Sequence, residues 1–176
     1  MISDSSSLII FAKINKLNLL TKLYDKIQIT NGIYKEIVEQ GLFINAPDAK
    51  LIKKYIDDKK IEILELDKKY GEFSKELKEI YPQLGIGESD AISLALQKGD
   101  KSIVIDEHSG RVIAKLYKLK PVGSLRVLIE SYKKNIINET ELKDTIGEMI
   151  KNKFRIGADV ITEFWKIFEK LKRKRD

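Results

Sequence analysis

The chain has 176 residues, 43% of them hydrophobic and 34% charged, with a formal net charge of +6 at pH 7. That length, with apolar residues spread throughout, gives one domain or slightly more around a buried core and excludes a disordered chain. No run reaches the roughly 18–20 apolar residues of a membrane span, and the absence of cysteine excludes disulfides and thiolate metal sites. The N-terminal stretch lacks a signal peptide's charged start and cleavage site, so a cytoplasmic protein is expected, with no membrane partner. The basic balance, with an isoelectric point near 9.2, suits a polyanion such as nucleic acid, but a lysine-rich surface gives the same figure.

In chain order, residues 1–3 read as a short strand with Asp4 at its carboxyl end. A buried helix over residues 8–12 follows, capped by one of the serines at 5, 6 and 7. Leu17, Leu19, Leu20 and Leu23 mark a second helix, and residues 26–30 alternate as a strand. Asn31 is placed to cap a helix carrying Glu36 one turn in, which Gly41 ends. Pro47 starts another helix. Residues 61–66 form a half-exposed strand, and residues 70–81 an amphipathic helix stopped by Pro82.

Gly85-Ile86-Gly87-Glu88-Ser89-Asp90-Ala91-Ile92 then places two carboxylates at the mouth of an apolar helix. Negative charge is favoured there by unpaired N–H groups and the helix dipole. Residues 102–105 are wholly apolar, as in a central parallel strand, and Asp106-Glu107 closes them. A helix spans 109–119, residues 121–122 make a minimal last strand, and Ser124 caps a helix to Tyr132. Beyond Asn135 the pattern is helical only. Asn138 and Glu141 form a capping box. The last helix, 158–175, carries Val160, Ile161, Phe164, Trp165, Phe168 and Leu171 on one stripe and ends in a basic run at 170–175.

Alternating strands and helices imply an α/β parallel sheet, whose sites lie at the carboxyl ends of strands. Asp4 follows the first strand and Asp106 the fourth, with Glu36 and Asp90 contributed by helices above. Taken singly, each acid has a plainer role: Asp4, Glu88 and Asp90 as helix-start acids, Glu36 as a surface glutamate, Asp106-Glu107 as a polar turn. Acids after both central apolar strands favour a shared site. Carboxylates that meet without a cation repel, and some take up protons. Mg²⁺ or Mn²⁺ resolves this through oxygen ligands, whereas zinc is disfavoured with His108 the sole histidine. A basic protein with an acidic metal crevice is the expected build of a nuclease. His108 reads as a solvated or capping residue. Residues 87–90 lack the final glycine and leading strand of a nucleophile elbow, and no Gly-rich nucleotide loop is present.

Four of these segments together resemble the PIN domain, a metal-dependent nuclease fold: Ser3-Asp4-Ser5-Ser6, Tyr34-Lys35-Glu36-Ile37, residues 87–92, and Ile105-Asp106-Glu107. The nearest likeness is to a branch of largely uncharacterised prokaryotic PIN proteins related to the VapC-type toxin ribonucleases. It covers residues 1–135 and, in that branch, the helical tail. The resemblance implies a three-layer sandwich with a central five-stranded parallel sheet plus C-terminal helices. It further implies a nuclease domain at 1–135, a helical extension at 136–176 packed on it, and an acidic pocket for Mg²⁺ or Mn²⁺. Asp4, Glu36, Asp90 and Asp106 match the family's acids, and Ser5 or Ser6 its supporting hydroxyl. Glu88 stands beside Asp90, and Glu107 beside Asp106, as alternative ligands.

The expected activity is hydrolysis of RNA phosphodiester bonds by metal-activated water, with a toxin held by an antitoxin protein as one form. A homodimer is expected, with RNA touched by the basic C-terminal run. The competing reading is a PIN-fold RNA-binding or assembly module with little catalysis.

Overall fold

The computed structural model describes residues 1–173. Five short strands, β1 (Ile2–Ser3), β2 (Ile27–Thr30), β3 (Ile61–Leu64), β4 (Ser102–Val104) and β5 (Lys120–Val122), form one parallel sheet in the order β3-β2-β1-β4-β5. Ile2, Ile27, Ile29, Ile103 and Val104 are fully buried. Helices therefore cover both faces, as continuous apolar strands require.

The crossovers from β1 through β2 to β3 carry α1 (Ser5–Lys13), α2 (Leu17–Tyr24), α3 (Asn31–Tyr34), α4 (Gln40–Phe43) and α5 (Pro47–Asp57). Between β3 and β4 run α6 (Lys68–Ile80) and α7 (Ile86–Lys98), and α8 (His108–Leu116) joins β4 to β5. The order advances one way from β1 to β3 and the other way from β4 to β5. The sheet's switch point thus lies between β1 and β4, where side chains leaving the two strands open a crevice. Ile2 pairs with Ile103 and Ser3 with Val104, so Asp4 and Ile105-Asp106 leave the sheet together.

After β5 come α9 (Ser124–Lys133), α10 (Glu139–Lys151) and α11 (Ala158–Lys172). Phe164 and Phe168 of α11 are buried, and Phe168 meets Tyr132 of α9 edge-on, with centroids 4.9 Å apart. Val160 is half exposed and so leaves the stripe expected for this helix. Lys172 reaches Glu139 at 2.9 Å. The Asn138 capping box forms as expected, with Glu141 N–H donating to Asn138 Oδ1 at 2.9 Å and Asn138 N–H to Glu141 Oε2 at 2.8 Å. The expected last turn to Arg175 includes Lys174 and Arg175, which lie outside the described residues. No helix among the described residues is long and apolar enough to cross a membrane.

Several local expectations are corrected. The helix after β1 is capped by Asp4, whose Oδ1 accepts from Ser7 N–H at 3.0 Å; the three serines occupy its first turn. Thr30, not Asn31, caps α3, accepting from Ile33 N–H at 3.1 Å. Gly41 does not end its helix but lies inside α4, where an added Cβ would come 2.5 Å from Ala49 Cβ. Its missing side chain lets α5 pack close. α9 is capped by Gly123, so the Ser124 hydroxyl is released for another partner.

Candidate active site

The first turn of α1 organises the site. Consecutive helical residues point about 100° apart, and each serine there donates to a different carboxylate. Ser5 Oγ donates to Glu36 Oε2 at 2.6 Å, Ser6 Oγ to Asp4 Oδ2 at 2.6 Å, and Ser7 Oγ to Asp106 Oδ2 at 2.8 Å. Asp4 is 1% exposed and its backbone N–H donates to Val104 O. Asp106 is held from the other side by Ser124, whose N–H donates to Oδ1 at 2.7 Å and whose hydroxyl donates to Oδ2 at 2.5 Å. The structure thus joins Asp4 and Asp106 through Ser7 at the switch point. Arg111 stands beside them: an added Cβ on Gly123 would lie 2.8 Å from Arg111 Nη1 and 3.3 Å from Asp106 Oδ1.

Glu36 reaches Ser5 from a π-helical turn, Lys35–Glu39, set between α3 and α4. Single π turns inside helices are frequent at functional sites because the extra residue re-aims side chains. Here the exposed Glu36 turns back over α1. Gly87 fits against this contact, since an added Cβ would collide with Ser5 Oγ and lie 3.0 Å from Glu36 Oε2. Gly87→Ala is therefore expected to displace Glu36 from Ser5 while α7 is kept. The check is a crystal structure of the variant, and an intact 2.6 Å bond would refute the close-packing argument.

α7 begins at Ile86, so Glu88 sits in its first turn and Asp90 lies beyond it, not both at the helix mouth. Glu88 is buried, and its Oε2 accepts from Gly85 N–H at 2.6 Å. Its Oε1 has no hydrogen-bond partner and faces Gly110, where a Cβ would come within 2.5 Å. Asp90 is not brought to the Asp4–Asp106 pair by any contact. Its Oδ2 accepts from Thr30 Oγ1 at 2.9 Å and its Oδ1 from Ser74 Oγ at 2.6 Å. Glu107 is exposed and caps α8 without a side-chain bond, and the exposed His108 is the first residue of that helix.

Charge follows burial. Desolvation first, then the neighbouring Asp106 charge, push the Asp4 carboxyl up to about 7 against the pull of Ser6 and Ser7. Burial also raises Glu88; the Gly85 N–H and, less strongly, the nearby Gly110 N–H pull it down, while Glu107 and Glu36 push it up. Among the described residues no three His, Cys, Asp or Glu side chains stand close enough together to enclose a metal ion. The expectation that four acids meet is corrected to this extent: Ser7 links Asp4 to Asp106, whereas Glu36 and Asp90 are each held by other hydroxyls. The residues nonetheless fit a hard divalent cation. The donors are all oxygens, the buried Asp4 is repelled by the half-buried Asp106, and Glu88 Oε1 is buried without a hydrogen bond of good geometry.

Sequence reasoning did not find Ser7, Thr30, Ser74, Arg111 or the Asp106 contact of Ser124. Ser7 is the member of the serine run that faces β4, a placement that only the strand order reveals. A model of a protein family, DUF3368, described as a PIN domain, matches residues 1–170. No curated protein matches the chain.

Proposed function

The chain belongs to the PIN-domain family, whose members are generally nucleases, and from that premise we propose that it is a metal-dependent endoribonuclease. The observation that carries this reading is the Asp4–Ser7–Asp106 link at the carboxyl ends of adjacent strands β1 and β4. Asp4 and Asp106 would hold Mg²⁺ or Mn²⁺ with waters filling the rest of its shell, and Glu88 and Glu36 would join only by moving in from the places described above. Bound there, the ion supplies a water made acidic enough to attack at neutral pH and a Lewis acid for the phosphate. Ser7 and Ser124 fix the Asp106 carboxylate, and Arg111 offers a guanidinium to the phosphate. Asp90 acts one step back, tying α7 to β2 and α6.

Cleavage of a mixed-sequence fluorescent RNA and a matching DNA, with Mn²⁺, with Mg²⁺ and with chelator, tests the reading. Metal-dependent RNA cutting is expected, and no cutting under any condition would sink it. The competing RNA-binding or assembly module is favoured by one observation, the hydroxyl-held and dispersed acids. It requires that Mn²⁺ leave the melting temperature unchanged.

The proposal extends to a cytoplasmic toxin restrained by an antitoxin chain, built as a nuclease domain at 1–135 with a helical extension at 136–176. It also extends to a homodimer, supported by Phe43 and Ile44, which are 91% and 74% exposed side by side at the end of α4. Light scattering is expected to give twice the 20.3 kDa chain mass and to fall to the monomer on Phe43→Asp. A monomeric wild type would remove the dimer.

A further inference from the structure

A groove of about 720 Å³ starts at Asp106 and Gly123 and runs between α9 and the 154–157 link that leads into α11. We propose that it holds a short single-stranded segment of the RNA being cut, bases against its apolar wall and phosphates along its rim. This rests on the nuclease reading above and adds where the strand lies.

Three observations carry it. The first is continuity: Asp106 lines the groove's end, so whatever fills the groove is contiguous with whatever the acids hold. The second is size and shape. Leu125, Ile129 and Lys133 follow one face of α9 for about 12 Å of helical rise, facing Phe154, Ile156 and Phe164. That volume suits a small ligand or a strand segment and falls far short of the roughly 16 base pairs over which a duplex is read by shape.

The third is charge. Arg111, Arg126, Lys133 and Arg155 line the groove, and so do Glu130, Asp159 and Glu163 beside Asp106. Arg126 and Lys133 are both already paired with Glu130, at 3.4 and 3.9 Å. A balanced groove is no general trough for polyanions. It holds a strand through apolar contact with base faces, with a few cations for phosphates, and its acids can accept from exocyclic amino groups of bases. It therefore favours particular bases flanking the cut.

The test uses the full chain and two variants in the 154–157 link, Phe154→Ala and Arg155→Glu. Neither residue belongs to the acidic site, and Arg155 is exposed, so the second variant keeps the fold if the first does not. Anisotropy of a labelled single-stranded RNA of about ten nucleotides, in chelator, measures binding without cutting. Hydrolysis of bis-p-nitrophenyl phosphate with Mn²⁺ measures the acidic site with a substrate too short for the groove. Each variant is expected to weaken RNA binding about fivefold or more and to leave diester hydrolysis unchanged.

Unchanged RNA affinity in Arg155→Glu, or no RNA binding by the wild type, overturns the proposal and leaves the groove to a protein segment. If the wild type hydrolyses neither diester nor RNA while the variants still lose RNA affinity, the nuclease reading falls and the groove assignment stands.

Discussion

Asp4→Asn is expected to raise the stability of the metal-free protein at pH 8 while lowering metal-dependent cutting on the order of 100-fold or more. The sign follows from the carboxyl's displacement upward from its ordinary value of 3.8 to about 7. Between those values the folded state binds more protons than the unfolded one. Asp4 therefore costs stability increasingly as pH rises through this window, and by a constant amount above it. A shift of that size corresponds to about 4 kcal/mol as an upper bound. Asparagine carries no charge, and its Oδ1 still accepts from Ser7 N–H as the cap of α1. In chelator, the variant is expected to melt several degrees above the wild type at pH 8, since about 1 kcal/mol moves a chain of this size by roughly 2–4 °C. At pH 4 the gain is expected to vanish. Added Mn²⁺ is expected to raise the wild-type melting temperature and leave the variant's unmoved. Equal melting at pH 8 would mean that Asp4 carries no such charge penalty in the folded protein.

The second large effect separates two acids that lie two residues apart. Asp90→Ala leaves the hydroxyls of Thr30 and Ser74 without their acceptor, at a cost of about 1–3 kcal/mol, and cutting per folded molecule is expected to stay within about threefold of wild type. Glu88→Gln keeps an oxygen for Gly85 N–H and therefore the helix start, but removes the buried charge. It is expected to hold or gain stability in chelator and to lose both the Mn²⁺ thermal shift and most cutting. Urea unfolding and cleavage rates on the same preparations decide the matter. The reverse pattern, with Asp90→Ala stable but inactive, would return the third acid to Asp90.

This pair shows where the sequence stops being readable. Asp4 and Asp106 each close an apolar strand, and an apolar run ending in an acid is visible in one dimension. Their adjacency follows once the sheet is parallel and doubly wound. Glu88 and Asp90 both precede the same apolar helix, and two helical positions differ by about 200° in direction. Only the true helix start, four positions before Asp90 at Ile86, decides which faces inward. Ile86 is half exposed, so no apolar periodicity announced it. The serine contacts were hidden for another reason. Ser7 and Asp106 are 99 residues apart, Thr30 and Asp90 60, and a hydroxyl beside a helix start looks like a cap whatever it binds. Ser124 reads as a cap for that reason, although Gly123 holds that position.

The π turn at Lys35–Glu39 constrains chain length as well as aim. It holds one residue more than an α-helical path between the same ends would need. One end is pinned by the Thr30 cap, the other by the close seat of Gly41 on Ala49. Loss of a single codon within this stretch would relax the bulge into ordinary helix and turn one side against the other by about 100°. Either Glu36 would leave Ser5 or Gly41 would leave Ala49. Substitutions at the exposed positions of this stretch are comparatively free, whereas its residue count is not, so kin of this protein that keep the glutamate contact are expected to share its length between Thr30 and Pro47.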